Sequence, residues 1–188
     1  MTRRLFLALW IGLAALLGLA RTASADDKLK VAASFSILGD MVKQVGGDRV
    51  EVVTFVGPNG DAHVYEPTPA DAKALSESKI LVINGLGLEG RMTRLENCSG
   101  CKVVTASNGV KPRKMVGDEK TIHARQDLGN GKIYAAKIRD ALIAADLAGK
   151  ATYEANAKKF IDGMTAMEAC ETGGRQAPSR APQDHRHA

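Results

Sequence analysis

Strong charge imbalance is missing from this 188-residue chain, in which 26 Lys and Arg stand against 21 Asp and Glu for a net charge of +5. Arg3, Arg4 and Arg21 lie in the first 25 residues, which hold no acid, so the remainder carries +2. That is too little to draw in nucleic acid, and no arginine–aromatic run offers a stacking surface. Cysteine is scarce, with only Cys98, Cys101 and Cys170. An odd count excludes a complete disulfide framework. No second pair accompanies Cys98-Ser99-Gly100-Cys101, which excludes a zinc knuckle. Four histidines are present, and His63 and His123, which lie in regions that read as folded, form no short chelating pair such as H-x3-H. Leu, Ile, Val, Phe and Met are absent from Cys170 to Ala188. Such a segment buries too little apolar surface to order itself.

One long apolar run is present, Leu5 to Ala20, behind the basic start Met1-Thr2-Arg3-Arg4. Ala23-Ser24-Ala25 follows as a small-residue cleavage signal, and no stop-transfer pattern comes after it. This is the layout of a cleavable signal peptide over 1–25 rather than a membrane anchor. It predicts export to an oxidising compartment.

The stretch from Leu29 alternates between strand and helix patterns. Leu29 to Ala33 reads as a strand. Ile37, Leu38, Met41, Val42 and Val45 give a helical stripe, with Ser34 or Ser36 as its cap and Gly46-Gly47 as its stop. Val50 to Val56 is rich in β-branched residues and reads as a second strand. Gly57-Pro58-Asn59-Gly60 turns the chain. Thr68-Pro69 starts a helix, with Asp71 placed for a capping box, and the helix runs to about Ser78. Ile80 to Asn84 reads as a strand buried on both faces. Gly85-Leu86-Gly87 turns, Leu88, Met92 and Leu95 stripe a helix, and Lys102 to Ala106 reads as a fourth strand. Ser107 to Thr121 is polar and aperiodic, hence loop. Helical stripes follow from about Asn130: first Tyr134, Ile138, Ala141, Leu142 and Ala145, then Tyr153, Ala157, Phe160, Ile161, Met164 and Met167. This order predicts an α/β fold with a parallel sheet flanked by helices. Ligands of such sheets sit beyond the carboxyl ends of the strands, where the loop carrying His63 belongs.

Several chemistries compete for these residues. Cys98 and Cys101 form the spacing of a secreted thiol oxidoreductase. They precede a strand, however, where the redox motif needs a helix start to lower the thiol pKa. A local disulfide or two free thiols fits better. Gly85, Gly87 and Gly90 match G-x-G-x-x-G, but the acid expected about 20 residues on is missing. Asp61, Glu66 and Asp127 offer carboxylates for hydrolysis without a matched general acid. His185 and His187 lie in the polar tail and read as solvated. On spacing alone His63 and His123 are ordinary polar loop residues as readily as ligands, and only the fold raises their standing.

Three segments together carry a likeness. They are Gly57-Pro58-Asn59-Gly60-Asp61-Ala62-His63-Val64-Tyr65-Glu66-Pro67-Thr68-Pro69, Asn84-Gly85-Leu86-Gly87-Leu88-Glu89 and Ile122-His123-Ala124-Arg125-Gln126-Asp127. Over about Leu29 to Ala169 the chain resembles the periplasmic solute-binding proteins of zinc and manganese ABC transporters. The resemblance implies two α/β lobes joined by a long helix, with a divalent metal ion in the cleft, and no enzymatic activity. It implies His63 and His123 as the metal ligands of the N-terminal lobe, with Asp127 holding the second ligand's loop in place. It implies a periplasmic protein that delivers zinc or manganese to a permease in the inner membrane. The division expected is 1–25 signal peptide, 26–130 metal-binding lobe, 131–169 helices that begin the connecting helix, and 170–188 disordered tail.

The chain departs from the family pattern in three places. Ala62 replaces the first Asp-Pro proline, Thr121-Ile122 replaces the second Asp-Pro, and Arg125 stands where the family has Trp. Family members also continue into a second lobe with another histidine and an acidic ligand. The change near Cys170 therefore predicts a frameshifted or prematurely stopped receptor, and the rival reading is a fragment of such a receptor with little transport activity. The connecting helix is then expected to expose Phe160, Ile161, Met164 and Met167.

Overall fold

The computed structural model describes residues 28–97, 100–110 and 128–175. The segment 1–25 expected as a signal peptide, His123, Asp127, Cys98 and the tail histidines lie outside the described residues. Four strands, β1 (Leu29–Phe35), β2 (Val50–Val56), β3 (Ile80–Ile83) and β4 (Lys102–Thr105), form one parallel sheet in the order β2-β1-β3-β4. Ala32 pairs with Val53 on one side and with Leu81 on the other. The central strands β1 and β3 are covered on both faces, and Val31, Ala32, Ala33, Ile80, Leu81 and Val82 are buried. Their unbroken apolar run is what a doubly covered strand requires. The edge strand β2 alternates, with Glu51 and Val53 exposed.

Helix α1 (Ser36–Gly46) packs on β1 and β2 through Leu38, Met41, Val42 and Val45. The expected cap is not there. Phe35 occupies the N-cap position without a side-chain bond, because Ser34 lies inside β1 and its hydroxyl donates elsewhere. Ile37 leaves the buried stripe and is half exposed, because it sits in the first turn, beyond the end of the sheet. Gly47, at φ 58°, ends the helix as expected.

Helix α2 (Pro69–Glu77) buries only Leu75. A single buried leucine contributes roughly 1.5–3 kcal/mol, so local capping matters here. The Thr68 hydroxyl accepts from Asp71 N, and the Asp71 carboxylate accepts from Thr68 N. Such a cap adds about 1 kcal/mol.

Residues 90–97 form a 3-10 helix (Gly90–Asn97) rather than the α-helix expected from Leu88. Leu88 and Met92 are buried nonetheless. Leu88 belongs to the preceding turn, where its N–H donates to Gly85 O.

Helices α3 (Leu128–Ala145) and α4 (Lys150–Arg175) pack against each other and on α1. Tyr134, Ile138, Leu142 and Tyr153 are fully buried between them and the sheet. Met164 is buried and Phe160 and Ile161 are half-buried, so only Met167 of the expected apolar stripe stays exposed. Helix α4 also continues to Arg175, past the composition change at Cys170. Extending an existing helix costs far less than starting one, so polar residues propagate it.

A polar knot fixes the α3–α4 corner. Asp146 accepts from Arg49 Nε at 2.9 Å and from Tyr153 Oη at 2.6 Å, while its other oxygen accepts from Gly149 N. Burial pushes the Asp146 carboxyl up, but the hydrogen bonds from Tyr153 and Arg49 outweigh it and hold the group below the usual carboxylate range. The Tyr153 phenol is pushed up to about 12, by burial first and then by Asp146. A depressed carboxyl pKa adds stability above its unfolded value that is lost as pH falls through its folded one. The expected result is an acid unfolding transition that begins below the ordinary aspartate range and shifts to higher pH on breaking Arg49 with Arg49→Gln. Circular dichroism against pH reads both.

Candidate metal centre

The β2 strand ends at Val56, and the chain turns at the sheet's carboxyl edge, with Gly60 N donating to Gly57 O at 3.1 Å. Asp61 Oδ1 then accepts from the His63 backbone N at 2.8 Å. Asparagine and aspartate favour such a turn because a short side-chain acceptor reaches the N–H two residues on. Ala62 tucks into the core and His63 stays exposed. Downstream, Tyr65 Oη donates to Asp71 Oδ2 at 2.8 Å, tying the loop to the start of α2. Burial first, and then this bond to Asp71, raises the Tyr65 phenol above its ordinary pKa. The His63 loop is therefore held on both sides of the histidine.

A cleft of about 250 Å3 opens beside His63, bordered by Phe35, Ser36, Pro58, Asp61 and Leu88. It lies where the loops after β1 and β2 meet. Asp61 and Glu66, the carboxylates considered for hydrolysis, both have local partners. Asp61 closes the turn and Glu66 pairs with Arg91. Among the described residues no three His, Cys, Asp or Glu side chains converge on one point.

The strand order reverses between β1 and β3, and this switch point is where open parallel sheets place their ligands. Here a side chain of the chain itself fills it. Glu89 is 2% exposed. Its Oε1 accepts from Ser34 Oγ at 3.0 Å and from Asn84 N, and its Oε2 accepts from Gly85 N at 3.0 Å. Burial pushes the Glu89 carboxyl above the usual range, against the pull of these donors. Tyr134 Oη of α3 donates to Asn84 Oδ1 at 2.6 Å. One buried network thus joins β1, the turn after β3 and α3.

That network changes the meaning of the three glycines. Gly85 and Gly87 have φ of 79° and 78°, which turns the chain sharply over Glu89. Gly90 has φ 48°, and a Cβ there would lie 2.5 Å from His63 O. The G-x-G-x-x-G pattern therefore encloses a carboxylate and admits a backbone, and it leaves no phosphate cradle. Composition and spacing missed Ser34, Asn84, Glu89 and Tyr134 as a unit. The available signal was an acid set between Leu88 and Met92 immediately after a glycine turn.

His123 and Asp127 lie outside the described residues, so only the ends of their segment are placed. It leaves after Val110, whose N–H donates to Ser107 O beyond β4, and returns at Leu128, the first residue of α3. Cys101 is disulfide-bonded and directly precedes β4, which removes the alternative of two free thiols. Without a helix start behind it, this disulfide lacks the feature that activates redox cysteines. Cys170 is free. No helix among the described residues is long and apolar enough to cross a membrane.

Residues 31–181 match the family described as the periplasmic component A of the zinc-uptake complex. The chain is 36% identical over 149 residues to a manganese-binding lipoprotein of Halalkalibacterium halodurans, covering 78% of this chain and 50% of that one. It is 34% identical over 176 residues to a manganese ABC transporter substrate-binding lipoprotein of Streptococcus pneumoniae, covering 87% and 57%. Among solved structures, the manganese-bound periplasmic metal-binding protein of Candidatus Liberibacter asiaticus superposes with a TM-score of 0.67 at 34% identity, covering 72% of this chain and 53% of that one. That protein has also been solved with cadmium. The chain spans about half the length of these relatives.

Proposed function

The chain belongs to the family of periplasmic zinc-uptake component A proteins, and from that premise we propose that it binds a divalent metal ion, zinc or manganese, as cargo for an ABC permease. His63 and His123 supply the protein ligands, and Asp127 steadies the loop behind His123. The chain acts outside the cytoplasm, in the periplasm, after cleavage of residues 1–25. It is a binding protein rather than an enzyme, and its partner is a permease of the inner membrane. Helix α4 begins the connection to a second lobe of the kind its relatives' greater length accommodates.

The observation that carries this reading is the placement of His63. An exposed imidazole stands on a loop pinned by Asp61 and by Tyr65, at the sheet edge where this architecture binds ligands. A pinned loop loses little conformational freedom when a metal binds. Imidazole suits zinc better than a hard, oxygen-preferring ion. Two histidines fill half of a tetrahedral zinc shell, so affinity depends on what completes it.

Calorimetric titration of the full chain with zinc and then manganese tests the proposal, beside a His63→Ala/His123→Ala double variant. Binding at about micromolar or better, a binding free energy of about −8 kcal/mol, and its loss in the double variant support a working half-site. Equal weak binding in both would mean that the scaffold persists without the function, as in the reading of a largely inactive receptor fragment.

A further inference from the structure

The Glu89 network reaches the His63 backbone through Gly90. Glu89 spends both carboxylate oxygens on the turn that ends at Gly90. Gly90 follows it directly, in a left-handed conformation, with His63 O, C and Cα at 2.5, 3.4 and 3.8 Å from where its Cβ would stand. Asp61 and Tyr65 hold the His63 loop from within its own sequence neighbourhood. Gly90 holds it from another strand's loop, and that loop is anchored to β1 through Ser34 and to α3 through Tyr134.

We propose that Glu89 is a positioning residue for His63: by fixing the Asn84–Gly90 turn it seats the glycine against which the His63 backbone rests, and so sets where the imidazole meets the metal ion. The inference rests on the reading of His63 as a ligand. Its physical basis is that ligand affinity depends on how well the groups behind the ligand hold it, and losing such a group typically costs 10–100-fold in metal affinity. Glu89 acts here at one remove, through a glycine that tolerates no added atom. Replacing it with glutamine keeps the shape but turns an amide NH2 toward a backbone N–H, so the turn loses an acceptor.

The test uses the full chain with Zn2+ and Mn2+ as probes. Glu89→Gln and Gly90→Ala are compared with Asp146→Asn, which weakens the fold at the distant α3–α4 corner. Zinc affinity is measured at a temperature where all three are folded, as judged by urea unfolding. Hydrogen exchange of the His63 amide is followed by NMR in the metal-free protein. The expected result is a roughly tenfold or greater loss of zinc affinity and faster His63 amide exchange in Glu89→Gln and Gly90→Ala. Asp146→Asn should leave both as in the parent.

Where the parent binds zinc through His63, parent-like affinity in Glu89→Gln and Gly90→Ala overturns the proposal, whatever the exchange shows. Equal losses in Asp146→Asn also overturn it, because the effect would then be general destabilisation. Undiminished zinc binding in His63→Ala would sink the ligand reading instead. In that case, or if the parent binds no metal, the amide exchange decides: an unchanged His63 rate overturns the positioning role.

Discussion

Replacing His63 alone by alanine is expected to lower zinc affinity more than about a hundredfold while leaving the urea midpoint almost unmoved. The two halves of this expectation have separate physical causes. The imidazole is exposed, and its residue is held through its backbone, whose N–H donates to Asp61 Oδ1 and whose carbonyl lies against Gly90. Removing the ring therefore opens no cavity and strands no buried donor. Surface changes of this kind usually stay within about 0.5 kcal/mol. The metal, by contrast, loses a first donor rather than a group behind one, so the loss should exceed what supporting groups cost. Competition with a chromophoric zinc chelator reads the affinity, and urea titration followed by circular dichroism reads the fold. An affinity that stays within a few-fold of the parent would remove His63 from the ligand set. A large drop in midpoint would mean the ring has a structural role that its exposure does not suggest.

Glu89→Ala is expected to destabilise the fold by about 3 kcal/mol. Three donors, Ser34 Oγ, Asn84 N and Gly85 N, converge on its carboxylate in a buried site. Each buried donor left without an acceptor costs about 1–3 kcal/mol, though water entering the gap recovers part of that sum. The pH dependence separates the charge from the shape. Burial raises the Glu89 carboxyl above its unfolded value. A raised carboxyl binds its proton more tightly in the folded state, so its contribution is fully present below the unfolded pKa. It declines as pH rises from the ordinary glutamate range through the folded pKa. The parent should lose stability across that interval relative to Glu89→Gln, whose amide does not titrate. Urea midpoints for the two proteins between pH 4 and 8 read the difference, and parallel curves would mean that folding leaves the Glu89 pKa unshifted. The Asp146 corner slopes the other way and below this range, so the two groups separate on the pH axis.

The comparison of sequence with structure can be argued element by element. β2 begins and ends where its β-branched run does, and α2 starts at the Thr68-Pro69 pair, because strand and cap preferences act over a few neighbouring residues. The parallel sheet followed from the alternation of patterns, since each apolar run needs a cover and each helix a sheet to rest on. The His63 loop was legible for the same reason. Turn residues on one side and a capped helix start on the other bracket it in a single stretch of chain.

Local patterns could not say that α1 goes without a serine cap, because Ser34 is claimed by Glu89, distant in sequence, and that contact exists only once β1 and β3 lie side by side. They could not say that Gly85, Gly87 and Gly90 enclose a carboxylate, because the same spacing serves phosphate binding, and only the occupant tells the two apart. Nor could they show that Met164 is covered, since the helices that bury it come from far along the chain. What the sequence determined by itself was therefore most of the elements, the family and the candidate ligand, all written in short-range preferences and motifs. What only the tertiary structure decided was how the acid at the switch point is satisfied and that Gly90 meets the His63 backbone. Burial and hydrogen bonding of that kind are properties of segments brought together by the sheet, and no stretch of chain carries them alone.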